Sequence, residues 1–183
     1  MADDFATNLR RLIRARFPLL SIRTAEESRV LAEIAAVVGN RTQIVPARQV
    51  FVWSTANGFA GLGQPGGQDT RTPHAALTAA AALTMPSVVI LLDLHPWMGS
   101  PSSPPDTQLV RQIKDTVRFY KDGPVPRTLI MISPTPHIPA DLESVVTLLD
   151  FPLPTETQIR STLDGMCGVG EIMIRVRGTG PSL

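Results

Sequence analysis

Apolar residues along this chain recur in two rhythms, helical spacing and short continuous runs, and the two alternate. Phe5, Leu9, Leu12 and Ile13 share one helical face with Arg10, Arg11 and Arg14 beside it, which predicts an amphipathic helix. Phe17–Arg23 predicts a strand, with Pro18 confined to its first residues. Thr24-Ala25-Glu26-Glu27 has the form of a capping box, Thr24 as N-cap and Glu27 reaching back. The helix it opens carries Val30, Leu31, Ile34, Ala35 and Val38 as its stripe and ends at Gly39-Asn40. Val50–Ser54 is the second strand. Thr72-Pro73 starts an alanine-rich helix that Pro86 closes. Ser87–Asp93 is apolar between its two end residues, as expected of a strand covered on both faces. Asp106 caps a helix whose buried side is Leu109, Val110, Ile113, Val117 and Tyr120. Thr128–Ser133 and Val145–Asp150 are the fourth and fifth strands. Thr155 with Gln158 forms another capping box, for a short helix through Ile159 and Leu163.

This alternation predicts an α/β fold, a mostly parallel five-stranded sheet with helices on both faces. At 183 residues the chain has room for one domain, placed at residues 1–163. Residues 164–183 form a glycine-rich tail without a helical stripe, expected to be weakly ordered or the remnant of a lost module. Two stretches read as irregular loops. One is Asn57–Thr72, with Gly58, Gly61, Gly63, Gly66 and Gly67; the other is the Pro- and Ser-rich Pro96–Pro105.

Charge and cysteine content then narrow the function classes. Lys+Arg 17 against Asp+Glu 16 leaves a net charge of +1, so neither nucleic acid nor a membrane surface is indicated as partner. The single cysteine, Cys167, excludes an internal disulfide and makes a cysteine zinc site implausible. The longest apolar run, Val88–Leu92, is far short of the ~20 residues of a membrane helix. With an acidic start at Asp3-Asp4 in place of a basic leader, the expected compartment is the cytoplasm.

In open parallel sheets ligands sit beyond the carboxyl ends of the strands. Asp93 at the tip of its apolar run has the form of a Walker B carboxylate that holds magnesium; the alternative is an aspartate that caps a turn. The next position, where AAA+ enzymes usually carry a second carboxylate, holds Leu94. After Ile22 no glycine lets the backbone wrap a phosphate and no lysine reaches for it. Glu26 and Glu27 suit a helix N-terminus and repel an anion there. His95 invites a metal or acid–base role, or is a polar residue in a Pro-bounded turn. Ser133, His137 and Asp150 make a triad on paper, without the Gly-x-Ser-x-Gly elbow. Asp93, His95 and Ser133 are therefore weak cofactor-site candidates. No catalytic residue and no metal ligand is assigned.

Several segments together resemble a known family. Phe17–Glu27, Val50–Ser54 followed by Gly58, Asp93-Leu94-His95-Pro96-Trp97, Ile132-Ser133-Pro134, Ile138–Glu143 and Leu149–Pro154 are similar, in that order, to the N-terminal region of AAA+ ATPases first catalogued from algal chloroplast genomes. The resemblance covers roughly residues 5 to 163. It implies an AAA-like, P-loop-NTPase-type sheet whose nucleotide site is degenerate, ahead of an ATPase module that this sequence lacks. The last residues, Arg175–Leu183, look like that module's Walker A with Pro181 in the lysine place. Proline there supplies neither an ammonium nor a backbone donor.

The leading expectation is a non-catalytic domain acting in protein–protein interaction, assembly or regulation, with a protein partner or self-association. Trp97 and Met98 are its anchor candidates. No cofactor is expected. The alternative is a nucleotide-binding or ATP-hydrolysing protein with an irregular strand-end site, and only then do ATP and magnesium enter.

Overall fold

The computed structural model describes residues 4–154, 156, 159 and 160. Along the chain run α1 (Phe5–Arg14), β1 (Leu19–Arg23), α2 (Glu27–Gly39), β2 (Gln49–Ser54), β3 (Gly58–Gly61) and α3 (Pro73–Ala81). β4 (Ser87–Leu92), α4 (Thr107–Asp122), β5 (Arg127–Ser133), α5 (Ala140–Glu143) and β6 (Thr147–Asp150) follow, with single 3-10 turns at Gln68–Thr70 and His95–Trp97. The strands form one sheet in the order β3-β2-β4-β5-β1-β6. Every pairing is parallel except the β2–β3 hairpin.

Side-chain alternation divides the core between the two faces of the sheet. Leu19, Trp53, Val89, Leu91, Leu129 and Met131 point toward α3, α4 and α5. Leu20, Ile22, Val88, Ile90, Leu92, Ile130 and Ile132 point toward α1 and α2. All residues of β4 and β5 are buried, as the apolar run before Asp93 predicts. Each fully buried Leu or Ile contributes roughly 1.5–3 kcal/mol. Two helix starts form as read from the sequence. Asp106 accepts from the Leu109 N–H at 3.0 Å, and Thr72 accepts from the Ala75 N–H at 3.3 Å with Pro73 in the first turn.

The sheet departs from the five-strand expectation by one strand, β3, inside the stretch read as a loop. Its residues are short and glycine-bounded, so period-two alternation has no length over which to show. The signal present is Asn57-Gly58, a hairpin dipeptide. Gly58 turns with φ +75°, and Phe59 returns to stack on Phe51 at 5.4 Å. The capping box at Thr24 does not form either. α2 begins three residues later, and the Thr24 hydroxyl accepts from the Glu26 N–H at 3.0 Å in a turn ahead of the helix. Ile159 lies in a helical stretch with Glu156 and Arg160, whose side chains pair at 2.8 Å. Thr155, Gln158, Leu163, Cys167 and the tail 164–183 lie outside the described residues.

Candidate functional site

The chain leaves β1 toward α2 on one face of the sheet and leaves the neighbouring β5 toward α5 on the other. The crevice beyond their carboxyl ends is the place such a sheet offers a ligand. Arg23-Thr24, Ser133 and, one strand further, Asp93 stand there. The Thr24 N–H donates to the Ser133 carbonyl at 3.1 Å, so the first backbone donor past β1 closes the ladder and does not face a phosphate.

Carboxylates occupy the rest of the rim. Glu26 pairs with Arg29 on the next turn. Glu27, at the start of α2, has its pKa raised, first by desolvation and then by the charge of Asp93 and a hydrogen bond between the two side chains. The sign follows from the raised value. The folded protein holds this proton to higher pH than the unfolded chain, so stability falls as pH rises from the ordinary glutamate value through the folded one. Glu27→Gln should therefore stabilise the protein at pH 7, by at most about 0.5 kcal/mol because the site is solvent-screened. It should also remove this fall from a Tm-versus-pH series, so that Tm climbs more steeply with pH through the acid range than in the wild type; an unchanged series would show that the Glu27 carboxyl is not perturbed.

Asp93 itself is held in the left-handed region, φ +52°, which few non-glycine residues adopt. This turn swings the chain back over the strand ends. Leu94 and Met98 enter the core at 2% exposure each, and His95 stays partly exposed with Nδ1 3.6 Å from Asp93 Oδ1. The crevice that remains, lined by Ser21, Leu94, His95, Met98, Ser133 and His137, has a volume of about 10 Å³. That is room for at most one water, whereas ligand pockets run to about 300–1,000 Å³.

The structure brings some sequence candidates together and separates others. Asp93 and His95 are neighbours, and His95, Ser133 and His137 line the same small crevice. Asp150 is not with them. It lies in register with Arg23, which lies in register with Ser133, so two strand spacings, about 10 Å, separate the supposed triad members. Trp97 is half-buried, edge to face with Trp53 at 6.2 Å, and keeps part of its surface exposed. Met98 is a correction to the expectation of a surface anchor: its side chain is a core plug with no free face. Among the described residues, no group of three or more His, Cys, Asp or Glu is placed to hold a metal ion.

The glycine-rich stretch has a packing reason. A Cβ at Gly66 would stand 2.0 Å from the Asn57 carbonyl oxygen, and one at Gly58 2.2 Å from that of Gly67. Backbone lies directly on backbone, held by Trp53 Nε1–H donating to the Thr70 carbonyl at 2.8 Å and the Phe59 N–H donating to the Thr70 hydroxyl at 2.9 Å. What sequence reasoning missed is the Glu27–Asp93 contact, whose members come from elements that only the strand order brings together.

Comparison with known proteins agrees with this architecture. The family model described as SpoVK-like AAA ATPase, N-terminal domain, matches residues 5–151. Two relatives, both named uncharacterized AAA domain-containing protein ycf46, are from Guillardia theta and Trieres chinensis. They are 27% identical over 162 residues and 28% identical over 154. The matched regions cover 87% and 83% of this chain but only 30% and 29% of the relatives' length. A solved structure, titled as an E. coli MS115-1 HORMA:CdnC:Trip13 complex, shares the fold with a TM-score of 0.51 at 15% identity. It aligns over 83% of this chain and 54% of the solved one. Among the described residues no helix is long and apolar enough to cross a membrane.

Proposed function

Because the chain belongs to the family of N-terminal domains of SpoVK-like AAA ATPases, we propose that it acts as a non-catalytic cytoplasmic module for assembly or regulation, binding a protein partner or a second copy through an AAA-like sheet whose nucleotide site is degenerate. The observation that carries this reading is the plugged crevice. Leu94 and Met98 occupy the space beyond the strand ends, and Glu27 and Asp93 put two carboxyls where a nucleotide would bring phosphates. Both features oppose phosphate binding, one by volume and one by charge. ATP hydrolysis, as the relatives' AAA family name suggests, belongs in this reading to a separate module. That the related fold occurs in a solved multi-protein complex supports an assembly role.

The test is a phosphate-release assay with magnesium-ATP, run beside sedimentation of the chain over a wide concentration range. The expected result is no turnover above background, with Asp93→Ala indistinguishable from wild type. Trp97, half-buried with an exposed part beside the strand ends, is the proposed contact residue. Trp97→Ala is expected to weaken self-association or binding to an ATPase-bearing relative, while circular dichroism shows the fold kept. Turnover that Asp93→Ala removes would replace this reading with the irregular strand-end enzyme site.

A further inference from the structure

The opposite end of the sheet carries a groove of different chemistry. It lies at the amino ends of β1 and β6, has a volume of about 430 Å³, and is walled by Phe17, Pro18, Val117 and Val146. Among the described residues, Arg16 and Lys121 are its charged lining residues and no carboxylate lines it. The volume falls in the range of small-molecule pockets.

Two features set these cations apart from ordinary surface charge. The first is backbone conformation. α1 ends in a Schellman motif: the Phe17 N–H donates to the Leu12 carbonyl at 3.0 Å and the Arg16 N–H to the Ile13 carbonyl at 3.2 Å. The residue between must be left-handed, and glycine is favoured there. Here it is Arg16, with φ +59°. Residues that break a local rule at a cost in stability are expected at functional or strained sites. The second is pairing. Of the four cations on α4, Arg111, Lys114 and Arg118 each sit against an aspartate, Asp115, Asp141 and Asp122. Lys121 has no such partner among the described residues, and neither does Arg16.

A third cation reinforces the field. Arg48 is 8% exposed and pairs with no carboxylate among the described residues; it donates to the Ile13 carbonyl at 2.6 Å and to the Thr128 hydroxyl at 3.2 Å. Burial, and then the charge of Arg16, lowers its pKa to about 10. An uncompensated cluster of cations over an apolar wall attracts a ligand that offers the complement of both.

We propose that this groove binds an organic anion, a carboxylate or phosphate head held by Arg16 and Lys121 with an apolar body against Phe17, Val117 and Val146. The site lies away from the plugged crevice and does not depend on it. Arg16→Gly is an unusually clean variant, because glycine suits the left-handed position: it should raise Tm while removing the head-group contact.

The experiment follows backbone amide shifts of the labelled chain on titration with phenyl phosphate, phenylacetate and the neutral phenylacetamide. The expected result is saturable shifts at groove residues with an anion and none with the amide. Affinity should fall at least about tenfold in Arg16→Gly and in Lys121→Gln, the loss of one charge-assisted contact. Response to phenyl phosphate alone assigns a phosphate head; response to phenylacetate alone assigns a carboxylate. Equal shifts with phenylacetamide, unchanged affinity in both variants, or no groove shift with either anion would overturn the proposal.

Discussion

Trp53→Ala should destabilise the protein by about 3–5 kcal/mol, the range for a large aromatic removed from a core. Trp53 is fully buried on β2 and is contacted by two segments outside that strand. Its Nε1–H holds the Thr70 carbonyl at 2.8 Å, which fixes the glycine-rich stretch, and its ring meets Trp97 at 6.2 Å, which fixes the turn after β4. Truncation removes the packing and leaves the Thr70 carbonyl without its donor. Thermal unfolding followed by circular dichroism is expected to show Tm lowered by roughly 6–20 °C. Trp53→Phe keeps most of the area and loses the hydrogen bond, so it should cost about 1–3 kcal/mol. A change of only a degree or two in the alanine variant would mean that the ring does not organise these segments.

Met98→Ala should cost about 2–5 kcal/mol, because the side chain is 2% exposed and fills the space beyond the strand ends. Urea unfolding is the suitable measurement: the midpoint should fall with the slope unchanged, the signature of lost stability without a change in compactness. A surface methionine would give a loss within about 0.5 kcal/mol. The variant also separates the two barriers to nucleotide. It enlarges the crevice but leaves Glu27 and Asp93 in place, so it is not expected to gain ATP binding.

The central strand was legible because both its faces are buried, so Val88–Leu92 are all apolar and no periodicity needs decoding. Helix α4 was legible because its apolar stripe and Asp106 cap agree. β3 was not: four residues bounded by glycines carry too little pattern, and its reason for existing is the packing of Phe59 on Phe51 and of the following backbone on Thr70. Nor did the α2 start follow its motif. The Thr24 backbone is drawn into the sheet by Ser133, so the helix begins after it. That the segment after β1 carries neither glycine nor lysine could be read directly, since it concerns residue types in one short segment. That the space itself is filled could not, because a methionine in a Pro- and Ser-rich stretch gives no sign of which way it points. The Glu27–Asp93 contact likewise needs the strand order, which no local spacing encodes.

The measurement that bears most directly on this account is calorimetric titration of ATP and of ADP, with magnesium, into the purified chain. A crevice of about 10 Å³, and beside the strand ends the carboxyls of Glu27 and Asp93, predict no saturable heat up to about millimolar nucleotide, a binding free energy weaker than roughly −4 kcal/mol. Saturable micromolar binding that Asp93→Ala abolishes would contradict it.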